Sequence, residues 1–385
     1  MSNTLFITNV TIVNENADPF KGDVFIEDGR IKKVGVGLCE KAYTTIDGSG
    51  QNWLLLPGYI DTHIHGAAGY DTMDSTEEAL RGIASFLVKE GVTAFLATTM
   101  TQSVEAIEKA LINVGRYRRQ DGEAEILGVH VEGPFISRRR AGAQPIQYII
   151  PPSPYYVQRW QALSNHLIKN MTIAPEVEGG LQLIRELENL GIVASIGHSD
   201  ATFEEVEQAI SNGITKATHL YNQMRPFHHR DPGVVGGVLL DERVKVELIV
   251  DFVHCHPKAV DLVYRLKGAS DIILITDAMR AKGLRYGNYD LGGQNVSVTE
   301  EGAHLSNGAL AGSVLSMERA VKNMRAVTGC SLQELVAMSS TNAAKQMKLA
   351  RKGQIAEGFD ADFVLLDQKL NVQKTICHGK VVYER

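Results

Sequence analysis

Residues 58–66 read Gly-Tyr-Ile-Asp-Thr-His-Ile-His-Gly, and this stretch decides how the rest of the chain is interpreted. An apolar run at 53–56, Trp-Leu-Leu-Leu, leads into it and predicts a buried strand. His63 and His65 are spaced i, i+2, so a strand places both imidazoles on one face. Two imidazoles at the end of a buried strand can converge on a metal ion. The stretch therefore predicts a metal-dependent hydrolase.

The composition excludes several other classes of protein. Of the 385 residues, 44% are hydrophobic and 22% are charged, a balance typical of soluble globular proteins. Lys and Arg number 39 against 45 Asp and Glu, and this net charge of −6 argues against nucleic-acid and anionic-membrane partners. We expect no membrane span and no signal peptide. The four cysteines form no Cys-x-x-Cys motif, which favours reduced thiols and a cytoplasmic location.

Short β-rich runs alternate with helical patterns through the middle of the chain. We predict eight strands, at 53–61, 92–99, 126–132, 172–176, 192–198, 214–219, 245–251 and 272–277. Helical patterns between them include 76–90, 103–119, 203–211 and 257–267. Eight β/α repeats indicate a (β/α)8 TIM barrel. The alternative, a doubly wound open sheet, is disfavoured because no Gly-x-Gly-x-x-Gly motif opens a helix after an early strand.

Both ends of the chain consist of short β-rich runs separated by turns. Asp28-Gly29 and His378-Gly379 lie between such runs, as expected for hairpins. Two β segments at opposite ends of a chain can pair into one satellite sheet.

Five of the predicted barrel strands end in histidine or a carboxylate. The residues concerned are His63, His65, Glu132, His198, His219 and Asp277. The strands of a TIM barrel end at one face, where its active site lies. Imidazoles and carboxylates are ligands of zinc, iron and manganese. One such residue alone is more often structural, but five strands that end alike reverse that expectation.

The number of potential ligands exceeds the need of one tetrahedral ion. The predicted fourth strand ends at Glu176 without a lysine, so we expect no carbamylated lysine bridge. Glu132 is then the bridging candidate, and Glu176 is the alternative acid. Asp277 can exchange a proton with an activated water or can cap the segment that follows it. Because other potential metal ligands end the neighbouring strands, we favour the catalytic role for Asp277.

Several segments resemble the amidohydrolase superfamily and, within it, the N-acetylglucosamine-6-phosphate deacetylase family. They run in family order at 57–61, 130–135, 197–199, 219–224, 276–278 and 310–313. Residues 130–135, His-Val-Glu-Gly-Pro-Phe, and residues 219–222, His-Leu-Tyr-Asn, are specific to the deacetylases. His-x-His alone occurs throughout the superfamily.

The resemblance implies a TIM barrel with a small β-sandwich domain formed by both chain termini. We expect residues 1–52 and 346–385 to form the sandwich and residues 53–345 to form the barrel. The implied activity is hydrolysis of N-acetyl-D-glucosamine 6-phosphate to D-glucosamine 6-phosphate and acetate, in amino-sugar catabolism and cell-wall sugar recycling.

The resemblance also assigns roles at the strand ends. Glu132, His198 and His219 match the family's metal ligands. His63 and His65 match the extra pair of the two-metal members, so we expect two divalent ions (zinc, iron or manganese) per subunit. Asp277, which we also count as a ligand, matches the general base and acid.

The family's sugar-phosphate contacts fall on nine residues of this chain. They are Ala143, Gln144, Asn222, Gln223, Arg230, His254, Leu310, Ala311 and Gly312. The family usually has histidine where this chain has Gln144, which can donate a hydrogen bond to a sugar hydroxyl but carries no charge. The resemblance implies a homodimer, because arginine and histidine of the phosphate site approach from a neighbouring subunit.

Two other functions stay open at this point. One is another binuclear amidohydrolase, dihydroorotase-like or adenine-deaminase-like, against which Arg230 and His254 argue. The other is a catalytically silent scaffold on the same fold, but such scaffolds lose ligands and this chain keeps all six candidates.

Overall fold

A computed structural model describes residues 4–385 and contains the predicted barrel. Its centre is a sheet of eight strands that pair in parallel in chain order, each with the next. We call them barrel strands 1 to 8: Tyr59–Ile64, Val92–Thr99, Glu125–Glu132, Ile168–Ile173, Val193–Ile196, Ile214–Ala217, Lys245–Ile249 and Ile272–Ile275. The α-helices are Glu77–Leu87, Val104–Arg116, Pro154–Leu163, Gly180–Asn189, Phe203–Ser211, Gly233–Leu240, Pro257–Lys267, Met317–Thr328, Leu332–Val336 and Asn342–Gln346.

The barrel closes between its first and last strands at their carboxyl ends. The backbone N–H of Asp277 donates to the carbonyl of His63 at 2.8 Å, and that of His65 donates to the carbonyl of Ala278 at 2.9 Å. These bonds bring the chain that follows strand 8 beside the end of strand 1. Closure therefore places Asp277 next to the two histidines of the opening stretch.

Two predicted strand boundaries were wrong. The predicted strand 53–61 is two strands, because Leu54–Pro57 pairs in a different sheet and barrel strand 1 begins only at Tyr59. The predicted strand 172–176 is barrel strand 4, Ile168–Ile173, so Glu176 lies in the loop beyond its end. Neither error moves a predicted metal ligand away from a strand end.

The two chain termini form a separate sheet, as predicted. Its eight strands are Thr4–Asn14, Ala17–Glu27, Arg30–Gly35, Thr44–Asp47, Leu54–Pro57, Phe363–Leu366, Val372–Cys377 and Lys380–Glu384. Both predicted hairpins, at Asp28-Gly29 and His378-Gly379, join antiparallel neighbours. The sheet packs on an apolar cluster of its own that includes Ile7, Ile26 and Phe363. The predicted boundaries of the two domains stay a prediction, and residues 1–3 lie outside the described residues.

A small antiparallel sheet follows barrel strand 8. It consists of Gly287–Leu291, Gln294–Thr299 and Gly302–Leu305. The Gln294 side-chain amide donates to the carbonyl of Ala143 at 2.6 Å, and the Gln102 amide donates to the carbonyl of Gly292 at 2.8 Å. The first hairpin of this sheet therefore lies against the loops after barrel strands 2 and 3. Among residues 4–385, no helix combines the length and apolar character that a membrane crossing requires.

Gly58 joins the terminal sheet to the barrel where the two approach closely. A Cβ atom added there would lie 2.1 Å from Oγ1 of buried Thr93, a β-branched side chain that cannot swing away. We predict that Gly58→Ala lowers the free energy of unfolding by about 1–3 kcal/mol through overpacking. Gly35→Ala, whose nearest contact is an ordinary 3.5 Å, is the matched control. Equal urea midpoints for the two variants would contradict the prediction.

Candidate active site

The six predicted metal ligands converge at the carboxyl end of the barrel. They form two groups, and within each group the ligand atoms lie within 4.8 Å of one another. His63, His65 and Asp277 form one group, and Glu132, His198 and His219 form the other. All six residues are buried. Residues from barrel strands 1, 3, 5, 6 and 8 thus meet although they are distant in sequence.

Glu132 belongs to one group but also faces the histidines of the other. Its Oε1 atom is 3.4 Å from His63 Nε2, 3.3 Å from His198 Nε2 and 3.1 Å from His219 Nε2. Its Oε2 atom is 3.2 Å from His65 Nε2. Asp277 Oδ1 is in turn 3.4 Å from His63 Nε2 and 3.3 Å from His65 Nε2. One carboxylate therefore faces imidazoles of both groups, as a bridging ligand requires.

The backbone turns sharply where three of these residues leave their strands. His198, His219 and Asp277 have φ angles of 47°, 33° and 47°, in the left-handed region that non-glycine residues rarely occupy. Each such conformation costs about 1–3 kcal/mol and persists at functional sites, where the surrounding structure enforces it. Here the turns aim the side chains at the barrel axis instead of letting the strand continue.

The donor set suits divalent cations. His63 Nε2 and Asp277 Oδ1 are buried and have no hydrogen-bond partner among the described residues. Burial raises the pKa of Glu132, but the facing imidazoles, His63 first, lower it well below its ordinary value. Burial lowers the pKa of His65, but the Asp277 and Glu132 carboxylates outweigh this effect and raise it to about 10. Positive charge at the centre of the cluster is therefore favourable, and bound protons or metal ions supply it. The residues present fit a metal.

Hydrogen bonds on the far side of two rings fix their tautomers. His63 Nδ1 lies 3.1 Å from Glu247 Oε2, and because a carboxylate only accepts, the ring must donate from Nδ1. His198 Nδ1 donates in the same way to the carbonyl of Arg140 at 2.8 Å. In their neutral form, both rings therefore turn an Nε2 lone pair toward the centre of the site, the arrangement expected of metal ligands.

A cavity of about 280 Å³ opens onto the cluster. It is bordered by five of the six ligand candidates and by seven of the nine predicted substrate-binding residues: Ala143, Gln144, Asn222, Gln223, His254, Leu310 and Gly312. His254 Nδ1 is 2.7 Å from Asp251 Oδ2, which fixes its ring orientation, and burial, which lowers its pKa, is outweighed by the Asp251 carboxylate, which raises it. The cavity is thus walled by polar groups and closed at its base by the candidate ligands.

Three predicted residues behave differently. Arg230 and Ala311 do not line this cavity; Arg230 is exposed, and its guanidinium contacts His229 Nε2 at 2.8 Å. Gln144 does line the cavity, but its amide is already engaged. Its oxygen accepts from the N–H of Thr101 at 2.7 Å, and its nitrogen donates to Glu132 Oε2 at 2.7 Å. Gln144 therefore contacts a ligand candidate directly, which its position in the sequence did not reveal.

The alternative acid, Glu176, lies outside both ligand groups. Its carboxylate accepts from the Ser199 hydroxyl at 2.7 Å and from the N–H of Asp200 at 2.6 Å. It thus anchors the loop that follows barrel strand 5.

The sequence interpretation missed several residues of the site. Met100 and Leu291 line the cavity with apolar surface, and Glu247 supports His63 from below. Met100 directly follows the predicted strand 92–99, so the strand-end rule could have found it. Glu247 lies inside barrel strand 7, where a charged residue in an apolar run was the available signal. Leu291 had no such signal, because it comes from the small sheet after strand 8.

Known proteins share both the sequence and the fold. Residues 54–382 match the model of the amidohydrolase family. The chain is 54% identical over 379 residues to N-acetylglucosamine-6-phosphate deacetylase of Lysinibacillus sphaericus, covering 98% of this chain and 97% of that one. It superposes with a TM-score of 0.89 and 41% identity on the crystal structure of the Thermotoga maritima deacetylase, over 99% and 100% of the two chains.

A variant of the Mycobacterium smegmatis deacetylase, solved in complex with N-acetyl-D-glucosamine-6-phosphate, superposes with a TM-score of 0.91 at 30% identity, over 99% of each chain. The chain therefore belongs to the amidohydrolase family, and to the branch of it that contains these N-acetylglucosamine-6-phosphate deacetylases.

Proposed function

We propose that this protein hydrolyses N-acetyl-D-glucosamine 6-phosphate to D-glucosamine 6-phosphate and acetate, in amino-sugar catabolism and cell-wall sugar recycling. The observation that carries the proposal is the Glu132 carboxylate facing four imidazoles at the base of a polar cavity. The relative at 54% identity supports the choice of substrate. The identity to known deacetylases disfavours a cyclic-amide or aminopurine hydrolase, and the retained ligand set disfavours a silent scaffold.

We infer that two divalent ions bind per chain. Glu132, His198 and His219 would hold one, and His63, His65 and Asp277 would hold the other, with Glu132 shared. Such ions supply Lewis acidity toward an amide carbonyl and lower the pKa of water toward neutrality. This donor set of nitrogen and carboxylate oxygen suits zinc, iron and manganese.

Asp277 is the proposed proton carrier. Its carboxylate accepts the proton of the attacking water and returns it to the amide nitrogen as the carbon–nitrogen bond breaks. Burial raises the pKa of Asp277, but the His63 and His65 imidazoles lower it below its ordinary value, so the group is ionised before the reaction. A carboxylate that begins as a base and ends as an acid serves both halves of the hydrolysis.

The cavity residues are the proposed contacts to the sugar. Asn222, Gln223 and the backbone at Leu310 and Gly312 offer hydrogen-bonding groups beside the cluster, and His254 offers a donor to phosphate. The partly open space of about 280 Å³, lined by both polar and apolar groups, suits a small molecule.

The cysteine thiols are all unpaired, which supports the inference of a reducing, cytoplasmic environment.

Arg230 is the proposed phosphate contact of a neighbouring subunit in a homodimer. Its exposure, away from the cavity of its own chain, supports this role. Guanidinium groups bind phosphate through paired hydrogen bonds.

We predict that His63→Ala with His65→Ala reduces the bound metal from two ions per chain to one, because one ligand group loses its imidazoles. Elemental analysis after dialysis against a fixed free-metal concentration measures this. The matched control is His228→Ala with His229→Ala, which removes two exposed imidazoles and should leave the metal content unchanged. A wild-type protein that holds a single ion, unaffected by the first double substitution, would exclude the two-metal site.

We predict acetate release from N-acetyl-D-glucosamine 6-phosphate, with little from the non-phosphorylated sugar. Asp277→Asn should lower kcat by about 100-fold or more, since proton transfer is lost, while substrate still binds in calorimetry. A near-normal rate in this variant would remove Asp277 from the chemistry. Wild-type protein with its metals bound that releases no acetate would refute the activity itself.

We predict that Arg230→Gln lowers kcat/KM for the phosphorylated substrate about 10- to 100-fold, the loss of a hydrogen bond to a charged group. The low rate on the non-phosphorylated sugar is the internal control and should not change. Mixed Arg230→Gln and Asp277→Asn chains should recover part of the activity, because a mixed dimer contains one complete site. Absence of recovery in dimers shown to have exchanged chains would argue against a contact across the interface.

A further inference from the structure

A buried ion pair lies directly beneath one of the two ligand groups. Lys216 on barrel strand 6 donates from Nζ to Glu247 Oε1 on strand 7 at 2.6 Å, with side-chain exposures of 2% and 0%. Taking both charges out of water is costly, and replacing such a pair by apolar side chains is often neutral or stabilising. The pair is therefore weakly justified by stability alone.

The hydrogen bonds of Glu247 indicate what the pair does. Besides Lys216, its carboxylate accepts from His63 Nδ1 at 3.1 Å and from the Thr62 hydroxyl at 3.2 Å. The Lys216 ammonium, 2.6 Å from Oε1, forms an ion pair with this buried carboxylate. An ionised acceptor behind an imidazole fixes the ring and strengthens its other nitrogen as a ligand.

The two ligand groups differ in this respect. In the group of Glu132, His198 and His219, the support behind His198 is a neutral backbone carbonyl, that of Arg140. In the group of His63, His65 and Asp277, the support behind His63 is a full negative charge. Among residues 4–385, a carboxylate thus lies behind a ligand imidazole only in the group of His63, His65 and Asp277.

We propose that Glu247, held by Lys216, is a positioning residue for His63 and selectively strengthens binding of the ion that His63, His65 and Asp277 would hold. The inference rests on the proposed two-metal site. Glu247 touches neither the cavity nor any other ligand candidate among the described contacts, so it acts through His63.

The test is the double variant Lys216→Met with Glu247→Met, which removes the carboxylate without leaving a buried charge unpaired. Metal titration of the apo protein should resolve two binding steps in the wild type. In the variant we expect one step to weaken about 10- to 100-fold and the other to stay unchanged. Glu247→Gln, which retains the shape and one acceptor oxygen, should weaken the same step less.

The matched control is Thr172→Val, a buried change in the same barrel interior. The Thr172 hydroxyl contacts His130 and Thr218, neither of which is a ligand candidate, so both binding steps should be retained. A general disturbance of the barrel would weaken both steps in all variants and overturn the proposal. If the Lys216→Met, Glu247→Met variant shows two steps of wild-type affinity, the proposed role of Glu247 is overturned and the two-metal site is unaffected. A single step in the wild type would refute the two-metal site, and the proposed role of Glu247 with it.

Discussion

The site depends on a single constraint: one buried carboxylate, Glu132, must face imidazoles from three other strands at once. Side chains that lie far apart in sequence can meet at this distance only if the sheet closes into a barrel of small radius. The hydrogen bonds between the ends of strands 1 and 8 complete that closure. The left-handed backbone at His198, His219 and Asp277 is a cost of the same constraint. The barrel serves here as a device that holds charges close together.

Beneath the site, the interior of the barrel is polar where that of a typical barrel is packed with aliphatic side chains. Lys216, Glu247, His130 and Thr172 are all buried, and hydrogen bonds satisfy most of their polar atoms. The part of this interior that reaches a ligand candidate is the series Lys216, Glu247 and His63, and it loses much of its value if one member is missing. It also restricts the rotation of the His63 ring before any ion arrives, which is how supporting residues make a site rigid.

Much of the site could be predicted because it follows a local rule, namely that functional side chains stand where barrel strands end. That rule found six residues from patterns of a few residues each, namely His63, His65, Glu132, His198, His219 and Asp277. It could not find Glu247 or Leu291, whose roles arise from contacts with distant segments. The error at 53–61 has a different cause: Leu54–Pro57 is apolar because the terminal sheet buries it. Hydrophobicity reports burial but not which sheet provides it.

The terminal sheet has a consequence for how the protein is made. Leu54–Pro57 lies between Thr4–Asn14, which is synthesised before it, and Phe363–Leu366, which is synthesised long after it. On the ribosome this strand leads straight into barrel strand 1, yet one of its edges stays unpaired until Phe363–Leu366 has emerged. Open apolar edges invite pairing with other chains. Phe363–Leu366 therefore covers this edge, and a nascent or truncated chain that lacks it exposes the apolar Leu54–Pro57 beside the strand that carries His63.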